Sequence, residues 1–162
     1  MGRLISLTQA QRIRSRLRER GKTVVFTNGV FDILHVGHVR YLQAARRLGH
    51  ALFVGLNSDA SARELKGMGR PLIPQAERAE VLCALRCVNY VIIFGEPTAE
   101  RLVEALQPDV YAKGGDYASE KPLPEATPVE SYGGRVVILP YTQNHSTSQI
   151  LASILHNRDK GR

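Results

Sequence analysis

Cysteine is scarce in this 162-residue chain: only Cys83 and Cys87 occur. They stand four apart in a helical pattern, which puts both on one helix face and poorly places them to pair. Buried free thiols are the expectation, since a metal or redox role would need partners that are not in sight. Long apolar runs are also missing. No stretch approaches the ~20 residues that span a membrane, and the opening Met1-Gly2-Arg3-Leu4-Ile5 lacks the apolar segment of a secretory signal. A cytoplasmic, soluble protein is expected. Repeats and low-complexity segments are absent as well.

Acidic residues are outnumbered, 15 Asp and Glu against 22 Lys and Arg, for a net charge of +7. The surplus is terminal. Arg12, Arg14, Arg16, Arg18, Arg20 and Lys22 stand against Glu19, and Arg158, Lys160 and Arg162 against Asp159. The body between is nearly neutral. A domain that grips a polyanion more often spreads charge over a folded face. The basic first segment also has no interleaved aromatics for stacking bases. Nucleic acid is therefore not the expected partner, and a solvated helix face or a subunit contact is the plainer role for those arginines. A nucleic-acid-binding module built on this helix is the alternative outside enzymes.

What is present is an alternation. Thr8 can cap a first helix to about Glu19, ended by Gly21. Residues 23–27 then read as a buried strand, 36–48 as a helix closed by Gly49, and 51–56 as a second strand. Ser58 or Asp59 can cap a short helix to Leu65, and 66–74 is a loop rich in Gly and Pro. Residues 75–86 are helical, 90–94 a third strand, and Thr98 caps a helix to Leu106. Strands follow at 109–113 and 135–139, and Ser146 can cap a final helix to about His156. The strands are near-continuous apolar runs, so a parallel sheet covered on both faces is predicted. The fold class is α/β: a Rossmann-like, doubly wound, five-stranded parallel sheet. One domain is expected, with a basic helix over 1–21, a catalytic core over 22–156 and a basic tail over 157–162.

The first strand runs into Thr27-Asn28-Gly29-Val30-Phe31-Asp32-Ile33-Leu34-His35-Val36-Gly37-His38. This is a tight turn into a helix N-terminus, where free N–H groups and the helix dipole attract phosphate. Gly29 allows close approach of a ligand. His35 and His38 are three apart and share one face of the first turn, and Gly37 leaves room between them. A zinc site would need a third ligand at a coherent spacing, and Asp32 is the only near candidate.

This stretch resembles the signature G-x-F-D-x-x-H-x-G-H of the cytidylyltransferase-like nucleotidyltransferases, with six fixed residues in one strand–turn–helix context. The resemblance runs from about residue 22 to 155. It implies that a substrate phosphate oxygen attacks the α-phosphorus of a nucleoside triphosphate in line and that pyrophosphate leaves, with no covalent enzyme intermediate. It implies that His35 and His38 stabilise the triphosphate and the transition state, with Lys66 as the leading catalytic cation. Thr27, Asn28, Gly29, Phe31, Lys113, Gly114 and Asp116 would line the nucleotide, and Ser146, Thr147 and Ser148 would form a second phosphate nest at the last helix. Asp32, Asn57, Asp59, Lys66, Arg70 and Arg78 would serve the second substrate. Asp32 would fix the turn and the histidine orientation, and Arg78 would brace the phosphate site. Mg²⁺ is expected with the triphosphate, held mainly by phosphate oxygens and water. Relatives often carry an arginine where this chain has Leu151.

Within that family, Phe26 to His38, Asn57-Ser58-Asp59-Ala60-Ser61, Leu65-Lys66-Gly67 with Arg70-Pro71, and Lys113-Gly114-Gly115-Asp116-Tyr117 are similar to the heptose 1-phosphate adenylyltransferases. The resemblance implies ATP and a sugar 1-phosphate as substrates, an ADP-heptose for lipopolysaccharide as product, a stand-alone form without a sugar kinase, and a homo-oligomer. The alternative within enzymes is a cytidylyltransferase that uses CTP with glycerol 3-phosphate or phosphoethanolamine.

Overall fold

A computed structural model describes residues 1–115, 123–140 and 147. The elements are β1 (Arg3–Leu4), α1 (Leu7–Glu19), β2 (Val24–Gly29), α2 (Val36–Arg47), β3 (Ala51–Asn57), α3 (Asp59–Lys66), α4 (Gln75–Ala84), β4 (Tyr90–Phe94), α5 (Glu100–Leu106), β5 (Val110–Gly114), α6 (Ala126–Ser131) and β6 (Arg135–Leu139). The strands form one sheet in the order β1-β4-β3-β2-β5-β6, every pair parallel. Five of the six strands are those the apolar runs predict. The sixth, β1, is a two-residue edge strand paired to Tyr90 and Val91.

Alternation along the strands sends side chains to two cores. Val25, Leu52, Leu56, Val91 and Ala112 pack under α2 and α4, with Leu42, Leu82 and Cys83. Val24, Phe26, Phe53, Ile92 and Tyr111 pack on the other face against α1, α5 and α6, with Ala10, Val103 and Val129. Both faces are covered, so the sheet is doubly wound. From the central β2 the chain winds outward to β3 and β4, then crosses to β5 and β6. The order therefore reverses between β2 and β5, and ligands of such sheets bind in the crevice beyond the carboxyl ends of the strands at that reversal. No helix among the described residues is long and apolar enough to cross a membrane.

Several local expectations shift. Ser6, not Thr8, caps α1, through a reciprocal capping box with Gln9. Ser58 caps α3. Thr98 does not cap α5; its hydroxyl donates to Glu100 instead. Helix α2 stops at Arg47, and Gly49 is needed for close packing: a Cβ there would sit 2.7 Å from Val25 Cγ2 and 2.8 Å from Thr23 O. Helix α4 ends at Ala84, so Cys87 lies past it; both cysteines are free thiols, Cys83 buried and Cys87 half-buried.

The largest departure is Arg14. It is buried, not solvated, and donates from Nη2 to Asp109 Oδ1 at 2.7 Å and from Nε to Gln107 O at 2.9 Å. Asp109 Oδ2 in turn accepts the N–H of Val24. One arginine of the basic helix thus ties α1 to the amino ends of β2 and β5.

Candidate active site

Beyond Gly29 the chain turns through Phe31, whose φ of +47° is left-handed. That conformation is costly for a bulky residue, and burial of the ring in the core under α2 holds it. The turn delivers His35 to the N-cap of α2 in extended conformation, with no side-chain capping bond and no acidic residue in the first turn. The first N–H groups of α2 have no partner within the helix and face the strand reversal with a partial positive charge.

The two imidazoles meet there. Ring centroids of His35 and His38 are 3.9 Å apart at 32°, and His38 also meets the Phe31 ring edge-on at 5.4 Å. His38 Nδ1 is buried with no hydrogen-bond partner among the described residues. Burial first, and then the charge of His35, push the His38 pKa down to about 4. His38 is therefore neutral at pH 7 and offers a phosphate an N–H without carrying its own charge into the site.

Behind the histidines lies a brace. The Tyr41 hydroxyl of α2 donates to Ala112 O of β5 at 2.9 Å, so its 2.6 Å contact with Thr27 takes the proton of the Thr27 hydroxyl. Thr27 is fully buried. Its side chain ties α2 to the two strands at the reversal and is turned away from solvent. Phe31 is likewise a core ring and offers a ligand no more than its backbone.

Asp32 does not orient the histidines in the manner expected. One oxygen accepts Arg70 Nη1 at 2.6 Å, and the other accepts the N–H groups of Leu72 at 2.8 Å and Ile73 at 3.0 Å. Its work is to dock the segment after α3 onto the motif. Arg78 grips the same segment from beneath. Its fully buried side chain donates to Ile73 O, Val30 O, Asn57 O and Asp59 Oδ1. Arg78 therefore braces the site from within the core. Asn57 is also framework: it is buried and donates to Ser61 Oγ at 2.8 Å. Asp59 stays partly exposed beside Arg78.

Lys66 is exposed at the last position of α3. Gly67 and Gly69 follow with φ of +90° and +83°, so this segment turns sharply in a way only glycine adopts freely. Arg70 is committed to Asp32 and keeps partial exposure.

Across the reversal, β5 supplies Lys113 and Gly114. Lys113 Nζ donates to Asn28 Oδ1 at 3.3 Å, and the Tyr111 hydroxyl donates to the same oxygen at 2.7 Å. Burial lowers the Lys113 pKa, Glu125 raises it and Lys66 lowers it. Tyr111 carries no signal in the sequence beyond its place in an apolar run, yet it fixes Asn28. Thr147 Oγ1 donates to Ile33 O at 3.4 Å, which brings Thr147 to the motif. Asp116, Ser146 and Ser148 lie outside the described residues, as does Leu151. No group of three or more metal-ligating side chains occurs among the described residues.

Residues 26–152 match the family model described as "Cytidylyltransferase-like". The chain is 55% identical over 144 residues to the bifunctional protein HldE of Syntrophotalea carbinolica, covering 89% of this chain and 29% of that protein. It is 57% identical over 137 residues to the bifunctional protein HldE of Geotalea uraniireducens, covering 85% and 28%. The chain thus spans less than a third of the length of these curated relatives. Among solved structures, the lipopolysaccharide core biosynthesis protein from Thermoplasma volcanium superposes with a TM-score of 0.62 at 28% identity, covering 77% of this chain and all of that one. The paired imidazoles at the strand reversal and the match over most of the sequence agree: the chain belongs to the cytidylyltransferase-like family and is a nucleotidyltransferase.

Proposed function

We propose that the chain transfers AMP from ATP to heptose 1-phosphate, giving ADP-heptose and pyrophosphate for lipopolysaccharide core synthesis in the cytoplasm. The observation that carries the reaction class is the His35–His38 pair, 3.9 Å apart at the open end of α2. The substrate assignment is supported by the runs similar to the heptose 1-phosphate adenylyltransferases and by the identity to the HldE proteins.

An oxygen of the acceptor phosphate attacks the α-phosphorus of ATP and forms the new P–O bond. The bond from the α-phosphorus to the bridging oxygen breaks, and pyrophosphate leaves with the electron pair. The protein's part is positioning and charge stabilisation. His35, His38 and the first N–H groups of α2 hold phosphate oxygens as negative charge shifts onto the leaving group. Lys66 adds a cation from the end of α3.

The donor set here fits Mg²⁺ arriving with the triphosphate: Asp32 is occupied by Arg70 and two backbone N–H groups, and Asp59 by Arg78. When bound, the ion would neutralise phosphate charge.

A panel of ATP and CTP against heptose 1-phosphate, glycerol 3-phosphate and phosphoethanolamine tests the assignment, with pyrophosphate as readout. ATP with heptose 1-phosphate is expected to give the highest kcat/KM. A clear win for CTP would overturn the substrate assignment and leave the reaction class standing.

A further inference from the structure

The two walls of the cleft at the strand reversal carry different chemistry. Strand alternation places Thr27 and Ala112 on the face covered by α2, the face that holds Phe31 and the histidine pair. Asn28, one residue on, belongs to the opposite face with Phe26, and Lys113 joins Tyr111 there.

Asn28 is oriented by its partners. Oδ1 accepts both the Tyr111 hydroxyl and the Lys113 ammonium, and both of these are donors. A carboxamide held at its oxygen by two donors must turn its NH₂ the other way. That NH₂ has no hydrogen-bond partner among the described residues, and it is not among their buried orphaned atoms. It therefore reaches solvent at the carboxyl end of β2 as a donor-only group.

On β3 its register partner Gly55 lets Asn28, Phe26 and Leu102 pack close against the strand. A Cβ at Gly55 would lie 3.2 Å from Asn28 Cβ and 2.8 Å from the Phe26 ring. The Lys113 ammonium sits beside the amide. A cation and a fixed N–H pair side by side make a phosphate-binding set. An in-line displacement needs the attacking and leaving oxygens on opposite sides of the α-phosphorus. Two phosphate-binding walls on opposite sides of one cleft supply that arrangement.

We propose that Asn28 and Lys113 hold the phosphate monoester of the acceptor, opposite the histidine pair that holds the triphosphate. Their role is thereby distinct from the nucleotide contact that the sequence resemblance implies for Asn28 and Lys113. The assignment rests on the nucleotidyl transfer proposed above.

Lys113→Met and Asn28→Asp test it, with Lys113→Arg as the charge-keeping control. Binding of a non-hydrolysable ATP analogue with Mg²⁺, measured by calorimetry, should stay within about twofold of wild type, which also reports that each variant is folded. KM for heptose 1-phosphate should rise by about tenfold or more in Lys113→Met and Asn28→Asp, the loss of a charge-assisted hydrogen bond or the gain of a repelling carboxylate. Lys113→Arg should recover much of it. Weakened analogue binding with an unchanged KM for the phosphate would overturn the subsite and return both residues to the nucleotide. If wild type instead prefers another phosphate of the panel, the heptose assignment falls, and the same variants assayed with that phosphate still decide the subsite.

Discussion

His38 packs against His35 with ring centroids 3.9 Å apart, and its Nδ1 lies buried with no partner among the described residues. The pair stands where a helix already presents N–H groups, so the fold concentrates donors at one point and keeps charge off one of them. A polyanion entering the site would find donors that needed no large desolvation of a second cation.

This arrangement has a cost in acid. The folded His38 pKa of about 4 lies below its ordinary 6.5, so between these values the unfolded chain binds a proton that the fold refuses. Stability from this group is full above pH 6.5, falls as pH drops through that window and levels off near 4. The loss should be about 2 kcal/mol at pH 5. Urea denaturation of wild type and His38→Gln at pH 7 and pH 5 checks it: the variant should lose less stability than wild type on acidification.

Arg14 should matter for the fold and not for turnover. Its removal leaves Asp109 without its cation and the Gln107 carbonyl without its donor. Asp109 is partly exposed, so the penalty falls below that of a fully buried pair. Arg14→Ala should cost about 2 kcal/mol, visible as a lower Tm, with kcat and KM near wild type below the transition. Arg16→Ala, on the exposed face of the same helix, should change Tm little.

Asp32 should act through the segment it docks. Asp32→Ala frees Arg70 and leaves the N–H groups of Leu72 and Ile73 without an acceptor. Lys66 lies just before that segment. The variant should raise KM for the acceptor phosphate more than it weakens ATP-analogue binding. Arg70→Ala, which keeps both backbone bonds, should show a smaller change in KM. Equal losses in both substrates would place Asp32 with the histidines instead.

Much of this was legible in residue order, and the illegible part has common causes. Five strands show as apolar runs because buried parallel strands are apolar on both faces. The motif shows because its glycine, histidines and aspartate keep fixed spacing. Strand β1 is two residues long, too short for any periodicity. Arg14 looks like its neighbours Arg12 and Arg16, and only a partner 95 residues away distinguishes it. The resemblance implies a bracing role for Arg78, but its partners show only when the loop at Ile73 and the ends of β2 and β3 close around it. Tyr111 orienting Asn28 depends on strand register, which an apolar run does not encode.

Single-turnover pyrophosphate release with ATP, Mg²⁺ and heptose 1-phosphate tests the central claim most directly, comparing wild type with His35→Ala and His38→Ala. Each variant should keep its fold and lose about 100-fold or more in rate, the scale of losing one transition-state donor. A folded His38→Ala that releases pyrophosphate at the wild-type rate would contradict the account.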